Sequence, residues 1–247
     1  MFELREICKS FGKFRVLNSI SLKIKSGLVT GLIGPNGSGK TSLVNIMSGV
    51  YPIDSGQILL DGKDITGATS DQIYRLGVSR TFQHIRIFER MTVIENVISA
   101  IISLETLSLN ELFRQVRNPE DTKFKVAQNM LEKMELENDS KIFANELPIH
   151  KRRRLEIARA LAREPKVILL DEPAGGMTPK ETERLALLIL KIFSPGMTCL
   201  VIEHKMDLIA EVCEDLCVLN NGEKIAQGDP LVVFNQPEVI EAYIGSV

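Results

Sequence analysis

Gly34-Pro35-Asn36-Gly37-Ser38-Gly39-Lys40-Thr41 fits the phosphate-binding loop pattern of Gly, four residues, then Gly-Lys-Ser/Thr. An apolar run with Leu28, Val29, Leu32 and Ile33 enters the loop. Leu43, Val44, Ile46 and Met47 leave it at helical spacing, ending at Gly49. Strand, glycine loop and helix thus come in the order a triphosphate site needs. Glycines let consecutive N–H groups converge on one anion, the helix that follows directs its positive dipole end there, and Lys40 adds a full charge. Thr41 offers a hydroxyl to Mg2+. The stretch predicts a nucleoside triphosphate site on an α/β core.

At 247 residues, 44% of them hydrophobic, the chain can bury a substantial core as one large domain or two small ones. Its net charge of -2 supplies no global positive field, so nucleic acid is not expected as a partner. Met1-Phe2-Glu3-Leu4-Arg5-Glu6 is too charged for a signal peptide, and no run approaches the ~18 apolar residues of a membrane span, which predicts a cytoplasmic location. Cys8, Cys199, Cys213 and Cys217 form no CxxC pair and read as reduced residues, Cys199 and Cys217 within apolar strand-like runs.

Residues 2 to 25 read as β, with Ile20, Leu22 and Ile24 alternating with Ser21, Lys23 and Lys25. Lys9-Ser10-Phe11-Gly12 between them is expected as a turn carrying an aromatic ring. Turn signals at Asp54-Ser55-Gly56 and Asp61-Gly62 bracket Gln57 to Leu60 and predict a hairpin, hence a β appendage. Val78 to Gln83 reads as a short strand with Gln83 at its exit. Thr92-Val93-Ile94-Glu95 has capping-box spacing and predicts a helix start, and Asn118-Pro119-Glu120 opens a second helical pattern with Val126, Met130, Leu131 and Met134 on one stripe. Lys151-Arg152-Arg153-Arg154 begins a helix that stops before Pro165. Its four cations oppose the helix dipole and are expected on a solvated face.

Val167 to Leu170 suits a central parallel strand and delivers Asp171-Glu172-Pro173 to its C-terminal end, where ligand chemistry gathers in open α/β sheets. Thr198 to Ile202 repeats the pattern and delivers Glu203-His204. Leu216 to Gln227 reads as a closing hairpin around Asn220-Asn221-Gly222, and Pro230 and Pro237 open two short terminal helices. Asp171 can hold Mg2+ through its water shell, and Glu172 can orient or deprotonate an attacking water. A GTPase needs Asn-Lys-x-Asp. Here the closest approach, His204-Lys205-Met206-Asp207, lacks the Asn, which favours ATP.

The P-loop, Gln83, the helix from Arg153 to Leu161, Leu169 to Pro173 and His204 occur in the order of an ABC transporter ATP-binding cassette, which the chain resembles over essentially its whole length. Arg80 to Gln83, Met91 to Val97, Arg153 to Arg159 and Val201 to Asp207 look most like the ATPases of branched-chain amino acid importers. The resemblance implies a P-loop NTPase (RecA-like) core with an antiparallel β appendage, at 1–91 and 160–228, a helical signature subdomain at 92–159 and a C-terminal helical segment at 229–247. It implies that Gly34, Pro35, Asn36, Gly37, Ser38, Gly39, Lys40, Thr41 and Ser42 bind ATP while Phe11 stacks on adenine. Thr41, Gln83 and Asp171 would serve Mg2+, and Glu172, His204, Gln83 and Lys40 would carry the chemistry, His204 contacting the γ-phosphate. The implied partners are transmembrane permease subunits, a second cassette and, indirectly, an extracytoplasmic substrate-binding protein, with the chain peripheral on the inner membrane face.

The sequence departs from the family where Leu-Ser-Gly-Gly-Gln is expected: Leu147-Pro148-Ile149-His150-Lys151 aligns there, and Thr178 replaces a usual Asp. If that turn needs a positive φ, Ile149 or His150 adds about 1 to 2 kcal/mol of strain. One intact half-site and one altered signature suggest pairing with a different cassette. The alternatives are an ATP-gated regulatory cassette that hardly turns over, or the ATPase of a lipopolysaccharide-type exporter.

Overall fold

The computed structural model describes residues 1–101, 122–192 and 196–244. In chain order its strands are β1 (Phe2–Phe11), β2 (Phe14–Ile24), β3 (Val29–Ile33), β4 (Ser55–Leu60), β5 (Lys63–Asp64), β6 (Val78–Arg80), β7 (Val167–Asp171), β8 (Thr198–Ile202), β9 (Asp215–Asn220) and β10 (Glu223–Gly228). The helices are α1 (Lys40–Met47), α2 (Ser70–Arg75), α3 (Val93–Ile101), α4 (Thr122–Lys133), α5 (Ile149–Leu161), α6 (Pro179–Ile192), α7 (Met206–Val212), α8 (Pro230–Val233) and α9 (Pro237–Ile244). They fall into two compact units, one of Met1–Arg80, Lys166–Pro173 and Phe193–Val247, the other of Thr81–Pro165 and Ala174–Ile192.

The first unit holds both sheets. An antiparallel sheet runs β2-β1-β4-β5, and a six-stranded sheet runs β10-β9-β3-β8-β7-β6, parallel from β9 to β6 with β10 antiparallel at its edge. The α/β core with a β appendage is the architecture expected from the sequence. In β2, Ile20, Leu22 and Ile24 are buried and the residues between them exposed, because side chains alternate across a pleated strand. The expected turn at Lys9 to Gly12 is corrected: β1 continues through Phe11, which pairs with Phe14, so only Gly12-Lys13 turn. Cross-strand pairing recruits Lys9, Ser10 and Phe11, which local turn chemistry does not foresee.

Every residue of β3, β7 and β8 is buried, as strands covered on both faces must be. Leu32 and Asp171 both pair with Ile202, so β3, β8 and β7 end at one level of the sheet. One hydrophobic cluster joins Phe2, Leu4 and Ile20 of the appendage to Leu43 and Met47 of α1 and Leu169 and Leu200 of the parallel sheet. Cys199, Cys213 and Cys217 are buried, and burial pushes the Cys213 and Cys217 thiols up to about 12.

The second unit packs α3, α4 and α5 against one another. Thr92 and Glu95 form the expected capping box: the Thr92 N–H donates to Glu95 Oε2 at 2.8 Å, and the Glu95 N–H donates to Thr92 Oγ1 at 3.3 Å. Met130 and Met134 are buried. The opening at Asn118-Pro119-Glu120 lies outside the described residues. This unit begins at Thr81, where the sequence suggests 92, and it includes α6. Side chains of α5 explain the earlier start, since they hold the backbone of residues 82–86, as described below.

The structure revises α5 in two ways. It starts at Ile149 behind Pro148, whose φ of -65° and ψ of 161° place it as N-cap, so Ile149 and His150 are helical and need no positive φ. Its cations are not a solvated face. Lys151 Nζ pairs with Asp139 at 2.7 Å, Arg154 with Glu135 at 3.3 Å, and Arg152 donates to the carbonyls of Leu147 and Asn145. Those acceptors come from the turns that precede the helix and offset the dipole cost.

Candidate functional site

The loop from Gly34 to Gly39 bends where only glycine fits. Gly34 has φ +152°, and a Cβ there would stand 2.1 Å from the Leu219 carbonyl oxygen. At Gly39, φ +103°, a Cβ would stand 2.7 Å from Leu17 Cδ2. The loop is therefore pressed between β9 and β2. Gly39 is also the N-cap of α1, and as a glycine it makes no side-chain capping bond, so the first N–H groups of α1 are left to an anion. Lys40 is buried, and its Nζ donates to the carbonyls of Gly34 at 2.7 Å and Pro35 at 2.9 Å. Burial lowers the Lys40 pKa, and the nearby Glu172 carboxylate partly opposes that shift.

Asp171 closes β7 and is buried. Arg80 Nη2 donates to its Oδ2 at 2.8 Å. The next residue, Glu172, adopts the left-handed region at φ 48°, and its N–H donates to the Ile202 carbonyl at 2.9 Å. His204 Nε2 lies 3.3 Å from Glu172 Oε1. His204 is itself oriented by Glu203, a buried carboxylate whose Oε2 accepts the N–H groups of His204 at 2.9 Å and Lys205 at 3.2 Å. The sequence identifies Glu203 only as the neighbour of His204.

Phe11 ends β1, 43% exposed, with its ring edge-on to Tyr51 at 5.3 Å between centroids. Lys9 Nζ lies over the same ring at 5.4 Å from its centroid, and the exposed part of such an aromatic at a strand end can stack on a base. Gln83 belongs to the second unit. There Arg153 of α5 donates from Nη1 to the Phe82 carbonyl at 2.9 Å and from Nη2 to the Gln83 carbonyl at 2.7 Å. Glu156, one turn on, accepts the N–H groups of Phe82 at 3.3 Å and Arg86 at 3.1 Å through Oε1. Burial raises the Glu156 pKa, and those two backbone bonds oppose the rise.

Within the first unit, then, the fold brings Lys40, Asp171, Glu172 and His204 to the C-terminal edge of adjacent parallel strands. The donor set suits a triphosphate: backbone N–H groups and an ammonium for oxygens, a carboxylate and a hydroxyl for a hard cation. No cluster of three or more His, Cys, Asp or Glu able to hold a metal occurs among the described residues. Thr41 and Asp171 offer a hydroxyl and a carboxylate, donors of the kind that Mg2+ takes together with phosphate oxygens.

A family model for the ABC transporter matches residues 17–175. The chain belongs to that family. BraF of Pseudomonas aeruginosa, a high-affinity branched-chain amino acid transport ATP-binding protein, is 38% identical over 249 residues, covering 99% of this chain and 98% of BraF. LivG of Escherichia coli, of the same description, is 38% identical over 239 residues, covering 95% of this chain and 94% of LivG. Among solved structures, the ADP conformation of an ATP-binding cassette of an ABC transporter superposes with a TM-score of 0.87 at 34% identity, covering 100% of this chain and 99% of that one. A dimeric cassette in a post-hydrolysis state bound to ADP and Pi superposes with a TM-score of 0.77 at 25% identity, covering 93% and 99%. As an ABC cassette the chain has the P-loop NTPase fold and is an ATPase of the kind coupled to transport.

Proposed function

We propose that this ABC cassette hydrolyses ATP to energise a membrane importer for branched-chain or related amino acids. The observation that carries the reading is the arrangement of Lys40, Asp171, Glu172 and His204 on one strand edge, joined to full-length similarity with BraF and LivG. Gly34 to Ser42 bind the triphosphate, Phe11 stacks on adenine, and Thr41, Asp171 and Gln83 serve Mg2+. Mg2+ supplies charge neutralisation on the phosphate oxygens. Glu172 orients and deprotonates the attacking water, His204 contacts the γ-phosphate, and Gln83 reports to the permease. No helix among the described residues is long and apolar enough to cross a membrane, so the permease would hold the chain at the inner membrane face. An extracytoplasmic binding protein would deliver the substrate.

Leu147 to Lys151 stands where the family signature is expected, and its Pro148 and Ile149 offer neither the hydroxyl nor the close backbone approach of Ser-Gly-Gly. We therefore read the working assembly as a heterodimer in which a second cassette supplies an intact signature to this chain's ATP. The purified chain alone should show weak ATPase activity, with a large gain on adding the second cassette and permease. Full activity in the isolated homodimer overturns the heterodimer. Reconstituted complex that takes up no leucine, isoleucine or valine overturns the amino-acid assignment. A poorly hydrolysing regulatory cassette is disfavoured because Glu172 and His204 are both present.

A further inference from the structure

Arg80, the last residue of β6, has no role in the sequence-based reading, yet it is among the most enclosed cations of the first unit, its side chain 9% exposed against the 4% of Asp171. Its two terminal nitrogens reach different elements. Nη2 donates to Asp171 Oδ2 at 2.8 Å at the end of β7. Nη1 donates to Asn45 Oδ1 on α1 at 2.6 Å and to Oγ of Ser48, the residue that caps the C-terminus of α1, at 2.9 Å. Thr41 and Asn45 stand at i and i+4, so they share one face of that helix, and Ser48 follows as its C-cap. Arg80 pairs in register with Leu169, two residues before Asp171, so the contact needs a long side chain lying along the strand. A planar guanidinium with fixed donors can hold both elements at once, which a lysine ammonium cannot do with the same geometry.

We propose that Arg80 is a positioning residue for the Mg2+ side of the ATP site. It holds the Asp171 carboxylate in one orientation and fixes its separation from the helix face that carries the Thr41 hydroxyl. The inference rests on the reading of Thr41 and Asp171 as the cation-side groups. Electrostatics alone would place no cation beside a carboxylate meant for Mg2+, since Arg80 lowers the negative charge the ion meets. Its benefit is geometric, as for other partners that hold a metal-ligating carboxylate.

Variants that keep the charge isolate that benefit. Arg80→Lys retains one positive charge and loses the fork, and the double variant Asn45→Ala with Ser48→Ala removes the α1 contacts while leaving the pair with Asp171. Two titrations of the full chain test them: MANT-ATP fluorescence in EDTA, and Mn2+ binding to the nucleotide-loaded chain by electron paramagnetic resonance. Both variants should bind MANT-ATP in EDTA within about twofold of wild type, since the P-loop N–H groups are untouched, and weaken Mn2+ binding by about tenfold. Asp171→Asn is the reference and should weaken Mn2+ binding as well. If it does not, the cation assignment falls and this inference with it. With that reference weakened, wild-type Mn2+ affinity in either variant overturns the inference alone. Loss of MANT-ATP binding in EDTA together with a lowered melting temperature assigns Arg80 a merely structural role and also overturns it.

Discussion

Glu172 combines a chemical task with a strained backbone. A left-handed conformation costs a non-glycine residue about 1 to 2 kcal/mol. Here the bond from its N–H to the Ile202 carbonyl fixes it at φ 48°, and the result is a carboxylate turned to within 3.3 Å of His204. Glu172→Gln keeps the shape and removes the base. In the assembled transporter it should lower turnover by about 10²- to 10⁴-fold while nucleotide binding persists. Unchanged turnover would show that this residue does not carry the chemistry. Asp171, Glu172 and His204 are legible in the sequence because each follows an apolar strand-like run at a fixed offset. The roles of their partners Arg80 and Glu203 are not, because the first depends on β6 lying beside β7 and the second on how the chain turns after β8.

At the scale of elements, α5 shows how far local rules reach. Its existence follows from Leu155, Ile157, Ala158 and Leu161, but the fate of its charges does not. Arg153 and Glu156 grip the backbone around Gln83, and Glu156 Oε1 accepts two N–H groups there. Glu156→Ala should cost about 1 to 3 kcal/mol for donors left without an acceptor, whereas Glu156→Gln keeps an acceptor in place. The two differ from wild type in pH dependence as well. Burial raises the folded pKa of Glu156 above 4.5, so the folded chain holds that proton more tightly than the unfolded chain. Its contribution to stability is then fully present below the unfolded pKa and is lost as pH rises through the folded pKa. Urea midpoints of wild type relative to Glu156→Gln should shift in favour of wild type on moving from about pH 7.5 to about pH 5. A difference independent of pH contradicts the burial of an ionisable group at this position. Thr178 is accommodated locally: its Oγ1 accepts the Glu181 N–H at 3.4 Å, and Glu181 Oε2 accepts the Thr178 N–H at 2.8 Å, a capping box at the start of α6.

For the whole molecule, nucleotide binding and stability are linked through the unit that contains the P-loop. A ligand at about 100 times its Kd adds about 2.7 kcal/mol to the folded state it binds. Mg-ATP should therefore raise the thermal transition of that unit, and Lys40→Ala should abolish the rise, as measured by scanning fluorimetry. A shift that survives Lys40→Ala would place the nucleotide elsewhere. The sequence by itself determined the order of strands and helices, the glycine loop and the acidic residues after β7 and β8, because periodicity and turn chemistry act over a few neighbours. It misplaced the end of β1, the start of α5 and the surroundings of the basic run. Those were decided by the tertiary structure, since strand pairing, the acceptors that Asp139 and Glu135 offer to Lys151 and Arg154, and the reach of Arg80 from β6 to α1 and β7 join residues that local rules do not connect. Gly34 to Thr41 belong to both accounts: the sequence marks them as a phosphate loop, and the packing of β9 and β2 against Gly34 and Gly39 gives the steric reason that they must be glycines.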